Sequence, residues 1–248
     1  FFPRTSGFWE LESEDIWFAG QRGNALKASS VATRSPERKG IATDIEQPAD
    51  TDPATSIINY IGNDYVAIEK DTNGLMRLQV LPVDAIASAT ELRFADILGQ
   101  KSLKVYLNAR EEVVAELKKA GGILIATEDL QKSFGLVRHN GHWILIGRVN
   151  FQKDGELGEV DFDLQVVPPA NLISYDRLAL SWHSIKNRVP DALDGFTSPN
   201  GDIALVRTKG KLNIYAIFAE QLAKKPLAEI DLLEETTIIM IEWATGSY

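Results

Sequence analysis

Three histidines and a run of three carboxylates are the side chains in this sequence best placed for chemistry. His139 and His142 flank Asn140-Gly141, and His183 lies further along. Asn-Gly is a hairpin signal, because a type I′ turn needs positive φ at both central residues. The turn makes the two flanking histidines cross-strand neighbours, close enough to share a metal. With His183 as a third imidazole and one open position, the set would form a catalytic zinc site. The competing expectation is two solvated histidines at a hairpin tip and an unrelated third. No neighbouring residue supplies the partners that orient a ligand imidazole.

Glu159, Asp161 and Asp163 alternate along one stretch and so share one face of a strand. Repulsion among like charges raises a carboxyl pKa, and glycosidases work with such carboxyl pairs. Hard oxygen ligands also suit calcium, but Asp154-Gly155-Glu156 does not extend the set into an EF-hand loop. The competing expectation is a solvated sheet face with Arg148 opposite Asp161.

Other chemistries find little footing. There is no G-x-S-x-G elbow, and Ser181 or Ser184 beside His183 is no triad signal. Neither a P-loop nor a G-x-G-x-x-G is present, so no cofactor is expected. The chain has no cysteine, which excludes disulfides, thiolate metal sites and cysteine nucleophiles.

The elements that position these groups follow from pattern. Residues 134–167 read as a three-stranded meander with turns at Asn140-Gly141 and Asp154-Gly155. The first turn pairs Leu136 with Leu145 and Phe134 with Gly147. The second pairs Phe151 with Gly158, Val149 with Val160, Gly147 with Phe162 and Leu145 with Leu164, and places Trp143 opposite Val166. Both turns put the same apolar set on one face, and a one-residue slip would expose all of it. The other face, with Arg148 against Asp161 and Asn150 against Glu159, reads as polar and wet.

Residues 7–19 hold two tryptophans and two phenylalanines, expected to be core-packing strand aromatics or, alternatively, a carbohydrate-stacking platform. Residues 21–55 are poor in large aliphatics and read as a linker or long loop, a candidate interface arm. Residues 57–82 read as a hairpin. A three-residue loop there pairs Glu69 with Arg77, whereas a two-residue Asn73-Gly74 turn sets Lys70 against Arg77, so the longer loop is preferred. Ser88-Ala89-Thr90-Glu91 looks like a capping box for a helix stopped at Gly99. A strand at 103–107, a helix capped by Asn108 and a buried strand at 123–126 would then make a βαβ unit.

Beyond Pro168-Pro169, residues 178–182, 203–207, 212–217 and 236–243 read as strands and 218–225 as a short helix. Asp194-Gly195 and Ser198–Gly201 read as turns. The fold class is therefore α+β, mainly antiparallel sheet with two or three short helices. The division expected is 1–167, including the 21–55 loop, and 168–248, with a single continuous domain as the alternative.

The 248 residues are 44% hydrophobic with a net charge of −9. That balance and the scattered basic residues speak against nucleic acid, whose phosphates require clustered Lys and Arg. No apolar run approaches the ~18 residues of a membrane span. The chain opens Phe1-Phe2-Pro3-Arg4, as expected where a signal peptide or anchor helix has been removed, or where a chain has been trimmed. Together with the lack of cysteine, this points to an extracytoplasmic location, secreted or membrane-anchored, with a cytoplasmic one as alternative. The function expected is a non-enzymatic binding or scaffolding module of a cell envelope, partnered by another protein or a cell-wall component. The alternative is a hydrolase acting on glycan or peptide.

Overall fold

The computed structural model describes residues 1–18, 21–33, 54–88, 90–126, 129–173, 176–234 and 236–244. The chain forms two compact units, Phe1–Leu136 with Leu145–Leu172, and Val137–Ile144 with Ile173–Tyr248. It is an α+β protein built mostly of antiparallel sheet.

The first unit opens with a ribbon, β1 (Phe2–Arg4), β2 (Gly7–Phe18) and β3 (Gln21–Ser30), in that order. Residues 21–30 are thus a strand and not a loop. β2 must pair its backbone groups, and small residues such as Ala25 and Ala28 are no obstacle to a ladder. Their smallness serves packing: a Cβ on Gly23 would come within 2.6 Å of the Ala54 carbonyl oxygen. The Asn24 amide also bonds both the N–H and the C=O of Ser56, at 2.6 and 2.9 Å. Of the rest of the expected loop, Val31–Thr33 is a 3-10 turn, and 34–53 lies outside the described residues.

A second sheet follows, β4 (Ala54–Ile61), β5 (Tyr65–Thr72) and β6 (Leu75–Pro82). Its last hairpin uses the two-residue turn, with Asn73 and Gly74 at φ 54° and 82° and Lys70 opposite Arg77. The longer loop expected there is wrong. Val66, Ala67 and Ile68 are all buried, as are Leu78 to Leu81, so both faces are covered and side-chain alternation does not choose the register. Turn geometry chooses it, and solvent screens the two cations.

Helix α1 spans Phe94–Lys119, broken at Gly99 (φ 75°, ψ 167°). The Arg93 N–H donates to Asp96 Oδ2 at 3.0 Å, so the start lies beyond the expected capping box. Residues 103–107 are helical, and β7 (Ile123–Leu124) runs antiparallel to its neighbour with Ile123 exposed. The βαβ unit and the buried strand are therefore both absent. Leu103, Val105 and Leu107 alternate as a strand would, but the segment lies between helix-forming stretches and continues them.

The meander is β8 (Phe134–His139), β9 (His142–Lys153) and β10 (Glu156–Leu164). Its β9–β10 register is the expected one, from Phe151 opposite Gly158 to Leu145 opposite Leu164. The Phe162 ring lies over Gly147 and the Phe151 ring over Gly158, each leaving no room for a Cβ. On the apolar face Phe94, Tyr106, Phe134 and Phe162 stack with centroids 4.9 to 5.7 Å apart. The Tyr106 hydroxyl donates to the Leu130 carbonyl at 2.6 Å, and burial pushes its pKa up. The other face is wet along β10, where Glu159, Asp161 and Asp163 are exposed, but not along β9. Arg148 and Asn150 are buried, and Asn150 Nδ2 donates to the Met76 carbonyl at 2.7 Å. Val166 lies past the end of β10 and forms no ladder pair.

In the second unit α2 (Trp182–Arg188) is capped by Ser181, whose hydroxyl accepts from the Ser184 N–H at 3.1 Å. Residues 178–181 are irregular, so the expected strand there is replaced by a helix entry. β11 (Asp194–Thr197), β12 (Ile203–Arg207), β13 (Lys211–Phe218), β14 (Gln221–Leu222) and β15 (Ala228–Asp231) make one sheet, with β14 and β15 both on β13. Asp194-Gly195 opens β11 and is no turn. The expected helix at 218–225 is a tight reversal, with Ala219 and Glu220 at φ 48° and 58°. Residues 236–243 join no strand, because an apolar run without alternation does not specify a ladder. Leu180, Ile185, Val189, Ala204, Val206, Tyr215 and Leu222 form the core.

Candidate functional site

His139 and His142 flank the β8–β9 turn as the sequence implies. The Asn140 amide donates to His139 Nε2 at 2.9 Å, and His142 Nδ1–H donates to the Asp176 carbonyl at 2.9 Å. His183 lies in the first turn of α2 and is exposed, not on a strand. Among the described residues no group of three His, Cys, Asp or Glu side chains is arranged to hold a metal.

Glu159, Asp161 and Asp163 lie along β10 and are exposed. Asp161 is committed to Arg148, which reaches it through Nε at 2.6 Å and Nη2 at 2.8 Å. Arg148 also bonds Glu69 on β5. Burial opposes the charge on Arg148, but the two carboxylates outweigh it and hold the guanidinium pKa above its ordinary value. This is an ion-pair brace between β5, β9 and β10.

A second arginine cluster was not visible in the sequence. Arg138 on β8 holds Asp194 of β11 in a two-bond fork, both contacts 2.9 Å, and donates to Asp176 at 2.9 Å and to the Gly195 carbonyl at 3.0 Å. Its guanidinium lies 4.1 Å from the Phe196 ring centroid and 5.1 Å from that of Trp143. Asp194 Oδ1 also accepts the Gly141 and Gly195 N–H groups, at 3.1 and 2.9 Å. Asp176 accepts the Trp143 N–H at 2.9 Å. Burial lifts the Asp176 pKa above the ordinary carboxylate value, against the opposing pull of the Trp143 N–H, Arg138 and His142. Charges so completely paired lock the hairpin tip in place. The one sequence hint was Arg138 among apolar strand residues; its partners lie 38 and 56 residues away.

A shallow depression of about 300 Å³ in the second unit is lined by Ser184, Asn187, Arg188, Gln221 and Leu222. Ser184 Oγ is hydrogen-bonded to Ser181 Oγ at 2.8 Å, and no histidine or carboxylate lines the depression to activate a hydroxyl.

The ribbon is different in kind. Phe1, Phe8 and Trp17 are 74%, 64% and 72% exposed, although large aromatics ordinarily seek burial. Pro3 pairs with Phe8, so Phe1, Pro3 and Phe8 share one face at one end. Trp17 projects from the opposite face towards the other end, across from Arg22. At the base, Arg4 bonds Asp84 at 2.6 Å and Asp64 at 3.1 Å and lies 4.5 Å from the Trp9 ring. The bond from Arg4 holds the Asp84 pKa below its ordinary value. The sequence signal for this surface is the aromatic density of residues 7–19, for which core packing is the ordinary expectation.

No protein-family model, curated protein or solved structure matches this chain, so its function is read from its own residues and geometry.

Proposed function

We propose that this protein is a non-enzymatic binding or scaffolding module of a cell envelope, acting outside the cytoplasm on another protein or a cell-wall component. The observation that carries the reading is the ribbon with its exposed Phe1, Phe8 and Trp17. Exposed aromatics on a braced strand pair are what a recognition surface needs, because they contribute contact area with little loss of side-chain freedom. The lack of cysteine supports the extracytoplasmic part, where a lone thiol is a liability.

The hydrolase alternative has less support. Asp161 is bound to Arg148, and Glu159 and Asp163 are solvated along one strand. The test is a photo-crosslinking amino acid placed at Phe8 or Trp17, with Lys101 on α1 as control, in cells that express the chain. One discrete adduct from the ribbon positions and none from Lys101 is expected. Adducts from Lys101 alone, or hydrolysis of glycan or peptide that Asp161→Asn abolishes, would overturn the reading.

A further inference from the structure

We propose that the open edge of β2 receives a basic extended segment of a partner protein as an added strand. This rests on the binding-module reading and names its partner chemistry. The β2–β3 register pairs Phe18 with Gln21, Ile16 with Gly23 and Trp9 with Ser30. In a two-residue hairpin the pair beside the turn exchanges both backbone bonds, and bonding then alternates along the strand. Phe18, Ile16, Glu14, Glu12 and Glu10 therefore turn their N–H and C=O groups towards β3. Leu11, Ser13, Asp15 and Trp17 turn theirs the other way. The β1 register agrees independently: Arg4–Gly7 flanks the other turn, so Gly7 and Trp9 bond outwards to β1.

β1 ends its pairing at Phe2–Trp9. Among the described residues no strand lies along β2 beyond that point, and Leu11, Ser13, Asp15 and Trp17 make no backbone bond there. The open stretch runs for seven residues, about 24 Å at 3.4 Å per residue, enough to seat a partner strand of equal length.

Charge selects the occupant. Glu10, Glu12 and Glu14 line one face of β2, and Asp15 lies on the other. Lys27 reaches Glu14 at 2.5 Å and Arg22 reaches Asp15 at 2.7 Å, yet both carboxylates stay about half exposed and can meet a further cation. A second copy of β2 along this edge would set carboxylates against carboxylates, which disfavours self-pairing. A strand with Lys or Arg at alternate positions would bring a cation to the half-exposed carboxylate of Glu14. Apolar residues between them would meet Leu11 and Trp17 on the other face. Strand addition of this kind takes its affinity from main-chain bonds and its selectivity from alternate side chains.

The test uses the full chain and a labelled seven-residue peptide, capped at both ends, with Lys alternating with Val, read by fluorescence anisotropy. Ser13→Pro removes an outward N–H and the hydroxyl that accepts from Asn24 Nδ2 at 3.0 Å while leaving the backbone ladder to β3 in place, so it blocks the edge without changing net charge. At least tenfold weaker binding is expected for Ser13→Pro, for Glu14→Lys, and for a peptide N-methylated on alternate residues. The methylated peptide keeps the test valid should Ser13→Pro disturb the fold. A Glu-for-Lys peptide should not bind. Equal binding by wild type and Ser13→Pro, or by methylated and plain peptide, would show attraction to net charge alone and overturn the proposal. So would concentration-dependent dimerisation lost in Ser13→Pro, which would make a second copy the occupant. Crosslinks at Phe8 or Trp17 without peptide binding would sink the edge proposal while leaving the binding-module reading in place.

Discussion

Arg148 and Arg138 lie ten residues apart in sequence, and each is held between two carboxylates, with side chains 7% and 11% exposed, but they brace their surroundings differently. Arg148 works in the first unit with Asp161 and Glu69, whose side chains are 39% and 21% exposed. Arg138 works in the second unit with Asp194 and Asp176, at 8% and 22%, and those carboxylates also take the N–H groups of Gly141, Gly195 and Trp143. Removing one partner of a buried pair leaves the other charge stranded, whereas a carboxylate near the surface recovers water. The tip of the β8–β9 hairpin therefore depends on one side chain in a way that its base does not.

Arg138→Met should give the largest effect, about 3–5 kcal/mol of lost stability, because Asp194 is left charged, buried and without its fork. Urea denaturation followed by a probe in the second unit checks it. A loss below about 1 kcal/mol would mean that Asp194 finds water, and the contrast with Arg148 would collapse.

Arg148→Met comes next, at about 1–3 kcal/mol, since Asp161 and Glu69 can rehydrate while Asn150 keeps its bond to Met76. The same titration, read from a probe near the Phe94–Tyr106 cluster, measures it. If this variant costs more than Arg138→Met, solvent access is not what separates the two braces.

The two arginines also mark what the sequence could disclose. Arg148–Asp161 was legible because the Asp154-Gly155 turn fixes the β9–β10 register. Arg138–Asp194 was not, because Asp194-Gly195 carries a turn signature that tertiary pairing with β12 overrides. The same contest explains other differences. At Asn73-Gly74 the better charge pair favours a longer loop, but turn geometry outweighs one screened cation contact. Residues 21–30 hold Leu26 as their one large aliphatic yet pair with β2, because a partner strand matters more to them than propensity. Residues 103–107 alternated but were carried into α1 by the helix-forming residues around them. For the candidate site, the carboxylate and histidine positions along their own elements were legible. Their failure to converge was not, since that depends on contacts distant in sequence. The surface that does stand out, the ribbon aromatics, was in view but assigned to the core.

Asp176→Asn should have a smaller, pH-dependent effect. The folded-state pKa of Asp176 is raised, so the native protein holds its proton more tightly than the unfolded chain. Its ionisation therefore lowers stability as pH rises from the unfolded value near about 3.9 through the folded one, and adds no further slope above that. The stability of wild type minus that of Asp176→Asn should shrink across this window and then stay flat. A difference that grows with pH would mean that Arg138 outweighs burial at this carboxyl.

The smallest effect expected is at the histidines, and it bears on function most directly. His142 contributes one hydrogen bond to a backbone carbonyl from a half-exposed ring, and His139 is hydrogen-bonded to its neighbour Asn140. Each alanine replacement should cost no more than about 1 kcal/mol, since an exposed bond is largely exchanged for water. Zinc, manganese or calcium should leave the thermal midpoint of wild type and His139→Ala alike unchanged. A stoichiometric metal in the untagged protein, lost in His139→Ala, would mean that the hairpin tip is a ligand platform and that the Arg138 brace exists to aim it. The brace would then serve a hydrolytic centre.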